Sequence, residues 1–134
     1  MRTSTKWLKR HEFESSQEEN TIRIDGNKKN GFSPKALLLS GLAGCSGIDV
    51  VDILEKMRVL FADLKIEVET EQTEEHPRVF KDIHIQYIIT TAQENRDKVI
   101  KAIELSLEKY CGVSAMLKKN SKLDYTLTIH PEGA

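Results

Sequence analysis

SPKALLLSGLAGCSGIDVVDILEKMR, residues 33–58, decides how the rest of the chain is read. Ser33 and Pro34 open it as a helix. Serine accepts from an early backbone N–H, and proline at the first helical position lacks a donor that would be orphaned there anyway. From residue 34 to about residue 60 the apolar side chains cover most of the helix circumference, which predicts a helix buried on nearly all sides. Gly41, Gly44 and Gly47 lie on its middle turns, each costing roughly 1 kcal/mol of helix propensity relative to alanine. Such a cluster implies a break, or close approach by another backbone or a ligand. The apolar stretch 36–54 also contains Ser40, Ser46, Asp49 and Asp52. A bilayer span needs about 20 mostly apolar residues, so a helix packed inside protein is expected and a membrane is not.

Working outward, period-two alternation marks strands. Residues 5–13 form a first strand carrying Trp7 and Phe13, ESSQEEN (residues 14–20) a polar turn, and residues 21–25 a second strand with Ile22 and Ile24 on one face. DGNKKNG, residues 25–31, is a loop by composition. After the helix, Leu64, Ile66 and Val68 alternate with charged residues. EEHPR (residues 74–78) turns the chain, and Ile83, Ile85, Tyr87 and Ile89 line the inner face of the next strand, with His84 on its polar face. These two strands should pair as an antiparallel hairpin. Residues 93 to about 117 read as a single second helix through Val99, Ile103, Leu107, Tyr110 and Val113, and Leu123, Tyr125, Leu127 and Ile129 alternate in a last strand. The order is ββ(β)–α–ββ–α–β, an α+β arrangement.

The chain has 134 residues, which suits one domain spanning 1–134. Its 20 basic and 21 acidic residues nearly cancel, and no basic stretch is interleaved with aromatics, so nucleic acid is not an expected partner. The N-terminal residues lack an apolar export signal. Two cysteines without one point to reduced thiols and a cytoplasmic location. His76, His84 and His130 show no metal-ligand spacing, so no metal site and no cofactor are expected. Chemistry, if there is any, falls to sulfur. Cys45 and Cys111 each sit in an apolar helical segment, the second in ELSLEKYCGVSAML, residues 104–117. They are too far apart in sequence for a CxxC motif, so only the fold can bring them together. Two readings of the residues stand side by side: cysteines as small core hydrophobes, or a redox pair.

Residues 33–58, the HPRVF segment at residues 76–80 and the second cysteine motif follow one another in an order that resembles the OsmC/Ohr superfamily of osmotically inducible and organic-hydroperoxide-resistance proteins. The likeness runs from about residue 33 to residue 117. It implies antiparallel sheets wrapped around two central helices, an intertwined homodimer, and reduction of organic hydroperoxides through two cysteines. By motif, Cys45 would attack the peroxide and become a sulfenic acid. Cys111 would resolve it to a disulfide, and an external dithiol would reduce that disulfide. The resemblance also implies a glutamate after the helix-opening proline, paired with an N-terminal arginine. Pro34 is followed here by Lys35 and Ala36, with Arg10 and Arg23 as the candidate arginines, and Gly112 stands where many members have proline. Arg10, Leu38, Leu42 and Met57 are the candidate substrate-binding residues, the last three forming an apolar pocket suited to bulky hydroperoxides. Asp49, one turn after Cys45, is expected to point away or be neutralised, because a negative charge opposes thiolate formation. Two rival readings remain: a redox-inactive dimeric module that binds an apolar small molecule, and a sulfur-trafficking protein carrying a persulfide on Cys45.

Overall fold

The computed structural model describes residues 1–131, which form two compact units, residues 1–40 and residues 41 onward. In the first, β1 (Ser4–Lys9), β2 (Glu12–Gln17) and β3 (Asn20–Asp25) make an antiparallel meander. The strand expected over residues 5–13 is therefore two strands that meet at Arg10 and His11. The turn expected over residues 14–20 shrinks to Glu18 and Glu19. Arg10 and Glu18 take the positive φ angles, 47° and 54°, that two-residue hairpin loops require. Neither turn contains the glycine or asparagine that normally advertises such a loop, so the sequence pattern hid both.

The loop at residues 25–31 is organised by one carboxylate. Asp25 accepts from the backbone N–H groups of Asn27 (2.8 Å), Lys29 (3.3 Å) and Asn30 (3.0 Å). The Asn27 bond, followed by that of Asn30, holds its carboxyl below the ordinary 3.8. Gly31 has a steric reason: a β-carbon there would stand 2.5 Å from the Arg23 carbonyl oxygen.

The second unit is built on a three-stranded sheet in the order β4 (Phe61–Gln72), β5 (Phe80–Thr91), β6 (Leu123–His130). β4 and β5 pair antiparallel, as expected. β6 runs parallel to β5, with Tyr87 opposite Leu127 and Ile85 opposite Tyr125. The expectation of antiparallel sheets thus holds for the first sheet and for β4 with β5, and fails only for β5 with β6. The reason is the connection: the chain leaves β5, crosses in helices and returns to the end where β5 began, and that return makes the pair parallel. Ile83, Ile85, Tyr87 and Ile89 form the buried face of β5, as their alternation predicts.

α1 (Pro34–Lys56) is a single continuous helix, long and apolar enough to span a bilayer by length and composition alone. The expectation of burial on all sides is corrected. Only the stripe Leu42, Ser46, Val50 and Leu54 is buried, four residues apart each time, while Ile48 is 66% exposed. Of its mid-helix glycines, only Gly47 makes a close approach: a β-carbon would meet the Ile66 side chain at 3.1 Å. The expected single second helix is also broken. It comprises a 3₁₀ turn (Gln93–Asn95), α2 (Arg96–Leu105), one π-helical turn (Ser106–Tyr110) and α3 (Gly112–Leu117), with Cys111 extended between the last two. Val99, Ile103 and Leu107 are buried as their spacing predicts, but Tyr110, the last residue of the π turn, is exposed.

Because the Asp25 carboxyl is held low, its stabilisation is complete above the unfolded-state value and is lost as pH falls through the lower folded-state value. Asp25→Asn should therefore melt below the wild type at neutral pH. The gap should close as pH drops below the ordinary carboxylate range, read by thermal unfolding across that range. A gap independent of pH would contradict the role given to this carboxylate.

Candidate functional site

Cys45 sits in the middle of α1 with its side chain half-buried, and Cys111 is 3% exposed; both are free thiols. The break in the second helix sets the place of Cys111. In an uninterrupted α-helix its N–H would bond to Leu107. It bonds instead to the Ser106 carbonyl at 2.7 Å, closing the π turn. The Leu107 carbonyl is not left orphaned: the Lys118 ammonium donates to it, and the Ser114 hydroxyl, whose one proton it shares with the Cys111 carbonyl, lies 3.2 Å away. Cys111 then starts α3 as its capping residue. Its sulfur accepts the Ser114 N–H at 3.3 Å and its carbonyl accepts the Ser114 hydroxyl at 2.9 Å.

This geometry sets Cys111 near enough to Cys45 for the two thiols to act on each other. Burial pushes the Cys111 thiol up; the Ser114 N–H opposes that, and the neighbouring Cys45 side chain adds to it. At neutral pH Cys111 is therefore a thiol. Cys45 is the more accessible of the pair.

A buried chain of polar groups runs beside the thiols. Ser46, the residue after Cys45, lies 2.6 Å from the Tyr87 hydroxyl and 2.9 Å from that of Ser106, and Ser106 Oγ lies 3.0 Å from Asp49 Oδ2. Ser46, Tyr87 and Ser106 are all sealed from solvent. Proton count orders the chain. Ser106 has one hydroxyl proton and two neighbours, and the bond to a carboxylate is the stronger. Ser106 thus donates chiefly to Asp49 and shares that proton with Ser46, while the Ser46–Tyr87 bond can run in either direction. Burial raises the Tyr87 phenol to about 12, so it keeps its proton. No sequence motif announces this network. The one available signal was a serine at position 46 in the i, i+4 stripe that α1 buries.

The expected site residues divide. Cys45 and Cys111 come together, and Met57 lines an open groove of about 470 Å³ with Asp49, Ile53, Leu105 and Tyr110. Leu42 is fully buried in the core. Arg10 and Leu38 belong to the first unit, where Arg10 is exposed at the β1–β2 turn and Leu38 is exposed on α1. Arg23 pairs with Glu12 at 3.6 Å. Asp49 is held by the Ser106 hydroxyl, which gives its carboxylate a partner. His84 pairs with Asp124 at 2.6 Å and contacts Thr126 at 3.2 Å, on the polar face of β5.

The sequence profile of the OsmC-like protein family matches residues 26–126. The chain belongs to the OsmC-like family. Protein YhfA of Escherichia coli K12 is 34% identical over 131 residues, covering 96% of this chain and 98% of YhfA. The crystal structure of a hypothetical protein from Aquifex aeolicus VF5 superposes with a TM-score of 0.87 at 29% identity, over 98% of this chain and 96% of that one. The organic hydroperoxide resistance protein OhrB of Bacillus subtilis shares the fold more distantly, with a TM-score of 0.66 and 16% identity over 95% and 96% of the two chains.

Tyr87→Phe removes one end of the polar chain and takes a buried hydrogen-bond partner from the Ser46 hydroxyl. The expected cost is about 1 kcal/mol, near the net worth of one buried hydrogen bond. It would be read as a lower denaturant midpoint at an unchanged slope. An unchanged midpoint would argue against the network's contribution.

Proposed function

We propose that this protein is a cysteine-based peroxide reductase of OsmC-like type, acting on organic hydroperoxides as a homodimer in a reducing compartment such as the cytoplasm. The observation that carries the reading is the half-buried Cys45 set beside the buried thiol of Cys111, close enough for each to affect the other. The Cys45 thiolate attacks the terminal oxygen of ROOH. The O–O bond breaks, RO⁻ leaves and takes a proton from water, and Cys45 becomes a sulfenic acid. Cys111 sulfur then attacks Cys45. The S–S bond forms, the S–O bond breaks, and the Cys111 proton leaves with the hydroxyl as water. An external dithiol returns two electrons by exchange and is itself oxidised to a disulfide.

The dimer is supported by apolar side chains left in solvent by a single chain. Trp7 and Ile22 on the first sheet, and Ile48 and Leu60 in the second unit, are all at least half exposed or close to it. The competing reading is a dimeric binding module without redox activity. An apolar groove of about 510 Å³ between α1 and β4, lined by Ala43, Ile48, Val51, Leu64 and Ile66, favours it, as do Lys35 and Ala36 in place of a glutamate.

Titrating the reduced protein with cumene or tert-butyl hydroperoxide should consume both thiols rapidly and form a Cys45–Cys111 disulfide, seen by mass spectrometry. Cys111→Ser should stop at a Cys45 sulfenic acid that dimedone traps. Unreactive thiols would sink the reductase reading. An apolar molecule retained in native mass spectrometry would then support the binding module, and a persulfide on Cys45 would support sulfur trafficking. Sedimentation at micromolar concentration should show a dimer, and a monomer would overturn that part of the proposal.

A further inference from the structure

The two cysteine-bearing segments are joined by side chains that do not themselves react. Ser46 is rigidly placed by α1, next to Cys45. Ser106 is the first residue of the π turn, and its carbonyl takes the Cys111 N–H at 2.7 Å. The 2.9 Å bond between the two serine hydroxyls, with the Asp49 carboxylate on the far side of Ser106, therefore links α1 to the backbone that carries Cys111. Both serines are fully buried. Alanine would suit each helix better and would avoid burying a hydroxyl, so helix propensity and core packing do not account for the pair. Their bonds to each other, to Tyr87 and to Asp49 do. A π turn forgoes regular α-helical bonding and needs outside support to persist. Ser114 and Lys118 support its far end through the Leu107 carbonyl, and Ser106 is its only side-chain anchor to α1 among the described residues.

We infer that Ser106 is a positioning residue: its hydroxyl, held between Ser46 and Asp49, clamps the π turn to α1 and keeps the Cys111 sulfur buried and within reach of Cys45. The inference rests on the redox reading only for its consequence, which is that the clamp favours the disulfide. The clamp itself is a statement about where one thiol is held. Loss of the Ser106 hydroxyl lets the turn open locally, exposes Cys111 and lowers the effective concentration of one thiol at the other.

The test compares wild type, Ser106→Ala, Ser46→Ala, Asp49→Asn and Val99→Ala, a core truncation in α2 outside the polar chain. Two quantities are read. The first is the rate at which iodoacetamide alkylates Cys111 in the folded, reduced protein, resolved from Cys45 by peptide mass spectrometry. The second is the fraction of Cys45–Cys111 disulfide at equilibrium in glutathione buffers. There, two electrons pass from the thiols to oxidised glutathione, the intramolecular S–S bond forms, and two reduced glutathione molecules leave with the two protons. Loss of a bond of ordinary strength predicts roughly tenfold faster alkylation of Cys111 and a roughly tenfold smaller equilibrium constant for both serine variants. Asp49→Asn, which keeps an acceptor oxygen, should stay near wild type, and Val99→Ala should lower the melting temperature without moving either quantity. Wild-type alkylation in Ser106→Ala would overturn the inference, and so would equal acceleration in Val99→Ala. If wild type forms no disulfide even in oxidised glutathione, the reductase reading fails while the alkylation rates still decide the clamp. Should Ser106→Ala not fold, Ser46→Ala cuts the same bond from the other side.

Discussion

The hydrogen bond between the Ser46 and Ser106 hydroxyls ties together the two segments of the second unit that carry the cysteines. On one side of it stands α1 with Cys45; on the other stands the turn that presents Cys111. The bond belongs to a chain running from Tyr87 on the central strand to Asp49, so sheet, helix and turn share one buried polar spine. Such a spine is costly if any member lacks a partner and specific if all are satisfied. Among the described residues, no buried side-chain nitrogen or oxygen is left without one.

The same region explains why two chemically identical thiols are unequal. Cys45 rises from a regular helix and stays partly open to solvent. Cys111 follows a break whose freed backbone groups are recaptured by Ser106, Ser114 and Lys118, and the recapture draws its sulfur inward. Burial then keeps it protonated. The asymmetry comes from backbone geometry.

Much of the architecture could be read locally. The alternation of Ile83, Ile85, Tyr87 and Ile89 marked the inner face of β5, Ser33-Pro34 marked the start of α1, and Asp25 with its glycines and asparagines marked a loop. Each is a pattern written within a few residues. What stayed hidden fell into two kinds. The tight turns at Arg10 and Glu18 carry residues that normally avoid positive φ, so local propensity pointed elsewhere. The break at residues 106–111 lies inside a run whose apolar spacing is good for helix, and the spacing does not register a carbonyl captured by a side chain seven or eleven residues further on.

Taken alone, the sequence determined the order of elements, the inner faces of the central strands and the two motifs that mark the family, because these depend on neighbours along the chain. Only the tertiary structure decided that β6 lies parallel to β5, that a single stripe of α1 is buried, and that Cys111 meets Cys45. Those outcomes depend on contacts such as Ser46 with Tyr87 and Ser106 with Ser46, between residues 41 and 60 positions apart. Such pairs appear only once sheet and helix have packed, and no local periodicity encodes which hydroxyl will find which.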